Sequence, residues 1–140
     1  MSEERGLSGS RTAENLKTAF TEEAALAARA RAFAELAEHE GEQALAAAFR
    51  DLSEGGETLI QGSLDFLRSC ADPDSGIAIA GARANLRSLI HTEARLGERV
   101  YAQMARAARD EGFPDAASWF ETLEKLKASR LRRLRELGDV

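Results

Sequence analysis

Two glutamates, Glu23 and Glu93, hold equivalent positions in a chain that contains a similar segment twice. Residues 15–24 resemble residues 85–94 at an offset of 70, and the similarity resumes further along at an offset of 71. Carboxylates bind hard metal cations through oxygen, and a buried carboxylate persists only when a positive charge neutralises it. The repeat therefore predicts that both glutamates face a cation, which is either a metal ion or a basic side chain.

The composition predicts an all-α protein. Ala, Leu, Glu and Arg dominate the 140 residues, whose mass is 15.2 kDa. Both prolines lie outside the stretches of periodic apolar residues, and β-branched residues are sparse. These residue types favour helix almost throughout, and the length fits one domain.

Apolar spacing and turn residues predict four helices, at about residues 12–39, 42–70, 82–110 and 115–137. Thr12 is the expected N-cap of the first helix, so residues 1–11 are predicted to be a flexible start and 12–140 to be the bundle domain. The first helix is expected to bury a stripe made of Leu16, Ala19, Phe20, Glu23, Leu26, Ala27, Ala30, Phe33 and Ala37.

A long connection separates the second predicted helix from the third. It starts with the turn signal Asp72-Pro73-Asp74-Ser75-Gly76 and continues to Gly81. Two helical hairpins joined by a long crossover are typical of a ferritin-like four-helix bundle. The change of offset from 70 to 71 places one extra residue between Glu93 and Gly112, and such an insertion predicts a π-bulge in the third helix.

The chain resembles rubrerythrin, a diiron protein of the ferritin-like superfamily, over about residues 12–137. The resemblance lies in Phe20-Thr21-Glu22-Glu23, residues 34–41, Phe49, Asn85-Leu86, Glu93, Tyr101, Asp110-Glu111-Gly112-Phe113 and Phe120. It implies a fold of four helices and an ancestral peroxide-reducing enzyme, usually with a rubredoxin-like iron domain. That iron domain is not expected here, because the sequence ends at Val140 and one cysteine cannot build a four-thiolate site.

The resemblance also implies where the iron ligands would lie. The two carboxylates from the first and third helices correspond to Glu23 and Glu93, which are kept. The Glu-x-x-His of the second helix falls on Gly56 and Leu59, and that of the fourth helix falls on Lys127 and Arg130. A further carboxylate of the third helix falls on Leu96, and Tyr101 matches a tyrosine that the family places near the metals.

These replacements favour a protein without iron or any other cofactor. We expect Lys127 and Arg130 to neutralise Glu23 and Glu93 in place of iron, although both bases could instead point to solvent. One alternative is an atypical oxidoreductase, or a peroxide or oxygen sensor, which binds iron or manganese through the two glutamates with Glu57 or His91. Another is a small organic ligand in the vacated site beside Gly56.

Composition and charge indicate which classes of partner to expect. The net charge is −5, and the basic end of the last helix lacks the aromatic residues of a nucleic-acid surface. No stretch is long and apolar enough for a membrane span, and the single Cys70 favours a cytoplasmic location. Trp119 and Phe120 cannot both face one core stripe, so one of them is expected in an interface, with a homodimer or another protein partner. The sequence thus favours a non-catalytic interaction or regulatory module.

Overall fold

The computed structural model describes residues 6–138 and is helical, with no strand in that part of the chain. This confirms the all-α class, and the helices form two hairpins. Two compact units divide the described residues, one ending at Pro73 and the other beginning at Asp74. Residues 1–5 of the predicted flexible start lie outside the described residues, and the single bundle domain over 12–140 stays a prediction.

The first unit is a hairpin of α1 (Arg11–His39) and α2 (Gln43–Leu67). Ser10 caps α1, since its hydroxyl accepts a hydrogen bond from the Ala13 amide at 3.0 Å. The prediction that Thr12 is the N-cap was therefore wrong, because the hydroxyl two residues earlier reaches the free amide. Gly41 ends the turn between the helices with φ +80°, a left-handed conformation that side chains oppose.

Small residues form the contact between α1 and α2. The buried members are Ala13, Ala27, Ala30, Ala34, Ala37, Ala46, Gly56 and Leu67. Small side chains let two helix axes approach closely, so alanine fills this seam where larger residues would hold the helices apart. Ala19, Leu26 and Phe33 of the predicted buried stripe are exposed, so that part of the prediction was wrong.

The second unit contains α3 (Ala82–Arg95), α4 (Tyr101–Asp110) and α5 (Pro114–Gly138). A π-helical segment, Leu96–Val100, joins α3 to α4 without a break. It lies in the interval between Glu93 and Gly112 where the extra residue was predicted, so the predicted π-bulge is confirmed. α5 packs against α3, the π-helical segment and α4.

Features of the first hairpin recur in the second at the offset of 71. Buried Ala34, Ala37 and Ala46 correspond to buried Ala105, Ala108 and Ala117. The ion pair between Glu38 and Arg50 corresponds to one between Arg109 and Glu121, with the charges exchanged. Equivalent positions therefore keep the same buried alanines, and the ion pair is present in both hairpins with its charges exchanged.

Residues 68–81 connect the two hairpins, and their second half is held against α3. The Asp74 carboxylate accepts a hydrogen bond from the Thr92 hydroxyl at 2.6 Å and pairs with the Arg95 guanidinium at 2.7 Å. The Asn85 side chain exchanges two hydrogen bonds with the backbone of Ala80. The hydrogen bond from Thr92 and, to a smaller extent, the contact with Arg95 hold the pKa of Asp74 below its ordinary value.

None of the helices in residues 6–138 has the length and apolar character needed to cross a membrane.

We expect the Asp74 contacts to stabilise the fold in a pH-dependent way. A carboxyl group with a lowered folded-state pKa stabilises the fold above its ordinary value of 3.8 and loses that contribution as pH falls through the lower folded value. Asp74→Asn should lower the free energy of unfolding at pH 7 by less than about 1 kcal/mol, since the pair is one-third exposed. Urea unfolding of the wild type and of Asp74→Asn, at pH 7 and again below the folded-state pKa of Asp74, measures the difference in their free energies of unfolding. An equal deficit at both pH values would contradict it.

Candidate functional site

Glu93 of α3 and Lys127 of α5 form an ion pair between two helices. The Lys127 Nζ donates a hydrogen bond to the Glu93 Oε1 at 2.7 Å, and each side chain is only 16% exposed. An ion pair this far from water is screened little by salt and must be held in good geometry to offset the loss of hydration. The contact therefore joins two of the predicted site residues.

The other carboxylate oxygen of Glu93 has no hydrogen-bond partner. Oε2 is buried and contacts no donor among the described residues. Removing a charged group from water is costly unless a neighbour compensates it. Lys127 is thus the group that compensates Glu93 within the described chain.

Gly97 makes room for Lys127. A Cβ atom at position 97 would lie 2.7 Å from the Lys127 Cβ, closer than real side-chain atoms approach. Gly97 belongs to the π-helical segment, one turn after Glu93. The equivalent contact in the first hairpin joins Ala27 and Gly56, where an added Cβ would lie 3.2 Å from the Ala27 Cβ. The glycine lies on opposite sides of this contact in the two hairpins, and only the second hairpin has a long side chain there.

A groove of about 710 Å³ opens beside the Glu93–Lys127 pair. Ala128 and Leu131 form apolar parts of its wall. Its remaining wall is charged and consists of Glu98, Glu124, Lys125, Arg132, Arg135 and Glu136. It contains both positive and negative side chains, so the groove has no single sign of charge.

In the first unit, Glu23 lies in a groove of about 440 Å³ with Gly56 and Leu59, so the structure brings these three predicted residues together. Leu26 and Leu52 supply much of the remaining wall. The absence of a side chain at Gly56 leaves space for the close contact with α1. This groove therefore combines two carboxylates, Glu23 and Asp51, with an apolar surface.

Arg130, the second predicted base, is not part of the ion pair. Arg130 is exposed and forms no ion pair within residues 6–138. It shares a face of α5 with Trp119, Leu126 and Leu137, all exposed. The predicted neutralisation of both glutamates by two bases accordingly stays a prediction.

Leu96 and Tyr101 lie at the two ends of the π-helical segment. Leu96 is half-buried at its first position, and Tyr101 follows its last. The Tyr101 ring stacks on Phe120, with centroids 6.5 Å apart and ring planes inclined by 18°. Tyr101 therefore packs α4 against α5.

The residues present do not fit a diiron centre. Within the part of the chain that the structure describes, no three His, Cys, Asp or Glu side chains converge as metal ligands would. Glu57 lines a different groove from Glu23, and His91 lines a different groove from Glu93. The ammonium group of Lys127 already holds Glu93.

Sequence reasoning missed two parts of this region. Gly97 was not singled out, although its correspondence to Ala27 at the offset of 70 was a usable signal. The contacts of Asp74 with Thr92 and Arg95 were also missed. Thr92 and Arg95 are three residues apart on a helix and so share a face, but the loop conformation that brings Asp74 to them has no sequence signature.

Comparison with curated proteins finds similarity to rubrerythrin from Porphyromonas gingivalis. The two sequences are 28% identical over 134 residues, which is 92% of this chain and 66% of the relative. The chain thus spans just under two thirds of that relative's length. No protein-family model matches the chain. The comparison supports a rubrerythrin-like helical protein.

We expect removal of Lys127 to destabilise the fold more than removal of an exposed lysine does. Lys127→Met leaves the Glu93 carboxylate buried without a cation and should cost on the order of 3 kcal/mol. The matched control is Lys125→Met on the same helix, where an exposed side chain is replaced and the change should stay within about 0.5 kcal/mol.

Adding Glu93→Gln to Lys127→Met should recover much of the lost stability, because the stranded charge is then gone. Urea unfolding at pH 7 of the wild type, Lys127→Met, Glu93→Gln and the double variant measures the coupling, with Lys125→Met unfolded alongside as the control. Equal losses for Lys127→Met and Lys125→Met would show that the ion pair does not stabilise the fold.

Proposed function

We propose that this protein is a rubrerythrin-like helical bundle without a diiron centre, which acts as a non-catalytic interaction or regulatory module. The observation that carries the proposal is the 2.7 Å contact between the Lys127 ammonium group and the Glu93 carboxylate. A side-chain cation bound to this glutamate supplies the positive charge that a metal ion would otherwise provide. A cytoplasmic location belongs to the proposal and is supported by the single Cys70.

Charge and ligand chemistry both support the absence of iron. A cation entering beside Glu93 would meet Lys127, and two unit charges 4 Å apart repel by on the order of 4 kcal/mol at the effective dielectric constant near a protein surface. The chain has two histidines, His39 and His91, and neither stands at a position implied for a ligand. Iron and manganese sites of this type need imidazole and carboxylate ligands on facing helices.

We therefore expect protein purified without chelator to carry far less than one iron, manganese or zinc ion per chain. Elemental analysis by mass spectrometry, with a rubrerythrin purified in parallel as positive control, measures the stoichiometry. A stoichiometric metal that survives gel filtration would contradict the proposal and favour an atypical oxidoreductase or a peroxide or oxygen sensor.

The interaction role is supported by apolar side chains outside both helix seams. On α2, Leu45, Leu52, Leu59 and Phe66 recur every seven residues and are all exposed. On α5, Trp119 is 57% exposed, while its neighbour Phe120 packs on Tyr101. Large exposed aromatic residues are typical anchors of protein interfaces, and repeats of seven are typical of helix pairing. We propose a homodimer, whose interface includes Trp119.

Light scattering should give a mass near twice 15.2 kDa for the wild-type protein. Trp119→Glu should shift the mass towards the monomer, because it places a charge in the interface. Phe113→Glu is the matched control, since Phe113 is similarly exposed but lies in the turn before α5. A monomeric wild-type protein at on the order of tens of micromolar would overturn the dimer.

A second function, binding of a small organic ligand, is favoured by the groove beside Gly56. Its volume of about 440 Å³ lies in the range of small-molecule sites, and its wall combines apolar Leu26, Leu52 and Leu59 with the carboxylate of Glu23. These groups suit a compact apolar molecule with a hydrogen-bond donor or a positive charge. A native mass spectrum that shows a retained small molecule would favour this function over the interaction module.

A further inference from the structure

Four arginine side chains line one groove of the second unit. Arg87 and Arg95 come from α3, Arg99 from the π-helical segment and Arg135 from α5. His91 lies between them on α3. The groove has a volume of about 480 Å³, which is within the range of small-molecule sites.

Three of these guanidinium groups lack an acidic partner. Arg95 pairs with Asp74, but no hydrogen bond or ion pair joins Arg87, Arg99 or Arg135 to another residue in 6–138. Four arginines opposed by Asp74 and by Glu98, which also lines the groove, leave a local charge of +2. Like charges held together without neutralisation attract an anion.

The positive charge of this groove is a local feature, since the chain as a whole is acidic. Residues 1–73 contain 7 basic and 14 acidic residues, whereas residues 74–140 contain 12 basic and 10 acidic residues. The net charges of −7 and +2 add up to the −5 of the whole chain. Positive charge is therefore concentrated in the second unit, and part of it lies in this groove.

One wall of the groove is apolar. It is formed by Ile77 from the connection and by Ile90 and Ala94 from α3, all half-buried. An inorganic anion would leave these side chains in contact with water. An anion attached to a compact apolar body would cover them and gain their burial.

We propose that this groove binds a small organic phosphomonoester whose apolar or aromatic body rests on Ile77 and Ile90. A phosphomonoester carries close to two negative charges at pH 7, which matches the local charge of +2. Guanidinium groups bind phosphate oxygens through paired hydrogen bonds, so Arg87, Arg99 and Arg135 are suited to hold the phosphate. This groove shares Glu98 and Arg135 with the groove beside the Glu93–Lys127 pair but is not lined by that pair, and the proposal goes beyond the proposed function.

Phenyl phosphate is the probe that tests the proposal, by calorimetry and by chemical shifts of the labelled protein at low salt. We expect one molecule per chain, with affinity in the millimolar range or tighter. Inorganic phosphate, which lacks the ring, and benzoate, which carries one charge, should each bind about tenfold more weakly. Arg99→Gln and Arg135→Gln should each weaken the binding of phenyl phosphate about tenfold.

Arg106→Gln is the matched control, because Arg106 is exposed on α4 and does not line the groove. It removes the same charge and should change the affinity less than twofold, while circular dichroism verifies that every variant is folded. The proposal is overturned if phenyl phosphate does not bind, if it binds no more tightly than phosphate or benzoate, or if Arg106→Gln weakens it as much as Arg99→Gln.

Discussion

A carboxylate shielded from water must be neutralised, and the contact between Glu93 and Lys127 meets this requirement in the second unit. This contact explains several features of the sequence. Gly97 has no side chain because a Cβ there would collide with Lys127. The π-helical segment holds Gly97 one turn beyond Glu93. A long basic side chain thus reaches a position where a metal ligand would be expected from the resemblance to rubrerythrin.

The second constraint is the close packing of helices through small side chains. Alanine and glycine occupy the seam of the first hairpin, and alanines recur at equivalent positions of the second. Because so little apolar volume is buried in these seams, larger side chains such as Leu52, Phe66 and Trp119 remain outside them. A hairpin would gain stability by burying such residues against another surface. This is the physical basis for proposing an interaction module.

The two units differ most in charge. Each has a glutamate at the equivalent position, Glu23 or Glu93, but the groove of Glu23 is mainly apolar with one further carboxylate, Asp51, whereas that of Glu93 is lined mainly by charged side chains. A single insertion in the second unit also rotates the residues of the π-helical segment relative to α3. Buried alanines recur at equivalent positions of the two helix seams, while the surfaces beside the seams differ in charge.

The sequence by itself determined the all-α class, the four helices to within a few residues and the position of the π-helical segment. These features depend on local propensity, on glycines such as Gly41 and Gly112, and on a one-residue difference in the repeat, all of which are visible in the order of residues. The sequence also identified Glu93 and Lys127 as candidates. Only the tertiary structure decided that these two side chains meet, that Arg130 is exposed and that Leu26 and Phe33 lie outside the seam. Those outcomes depend on the rotation and separation of packed helices, since a rotation of a few tens of degrees moves a side chain from a seam to solvent, and periodicity alone cannot resolve it.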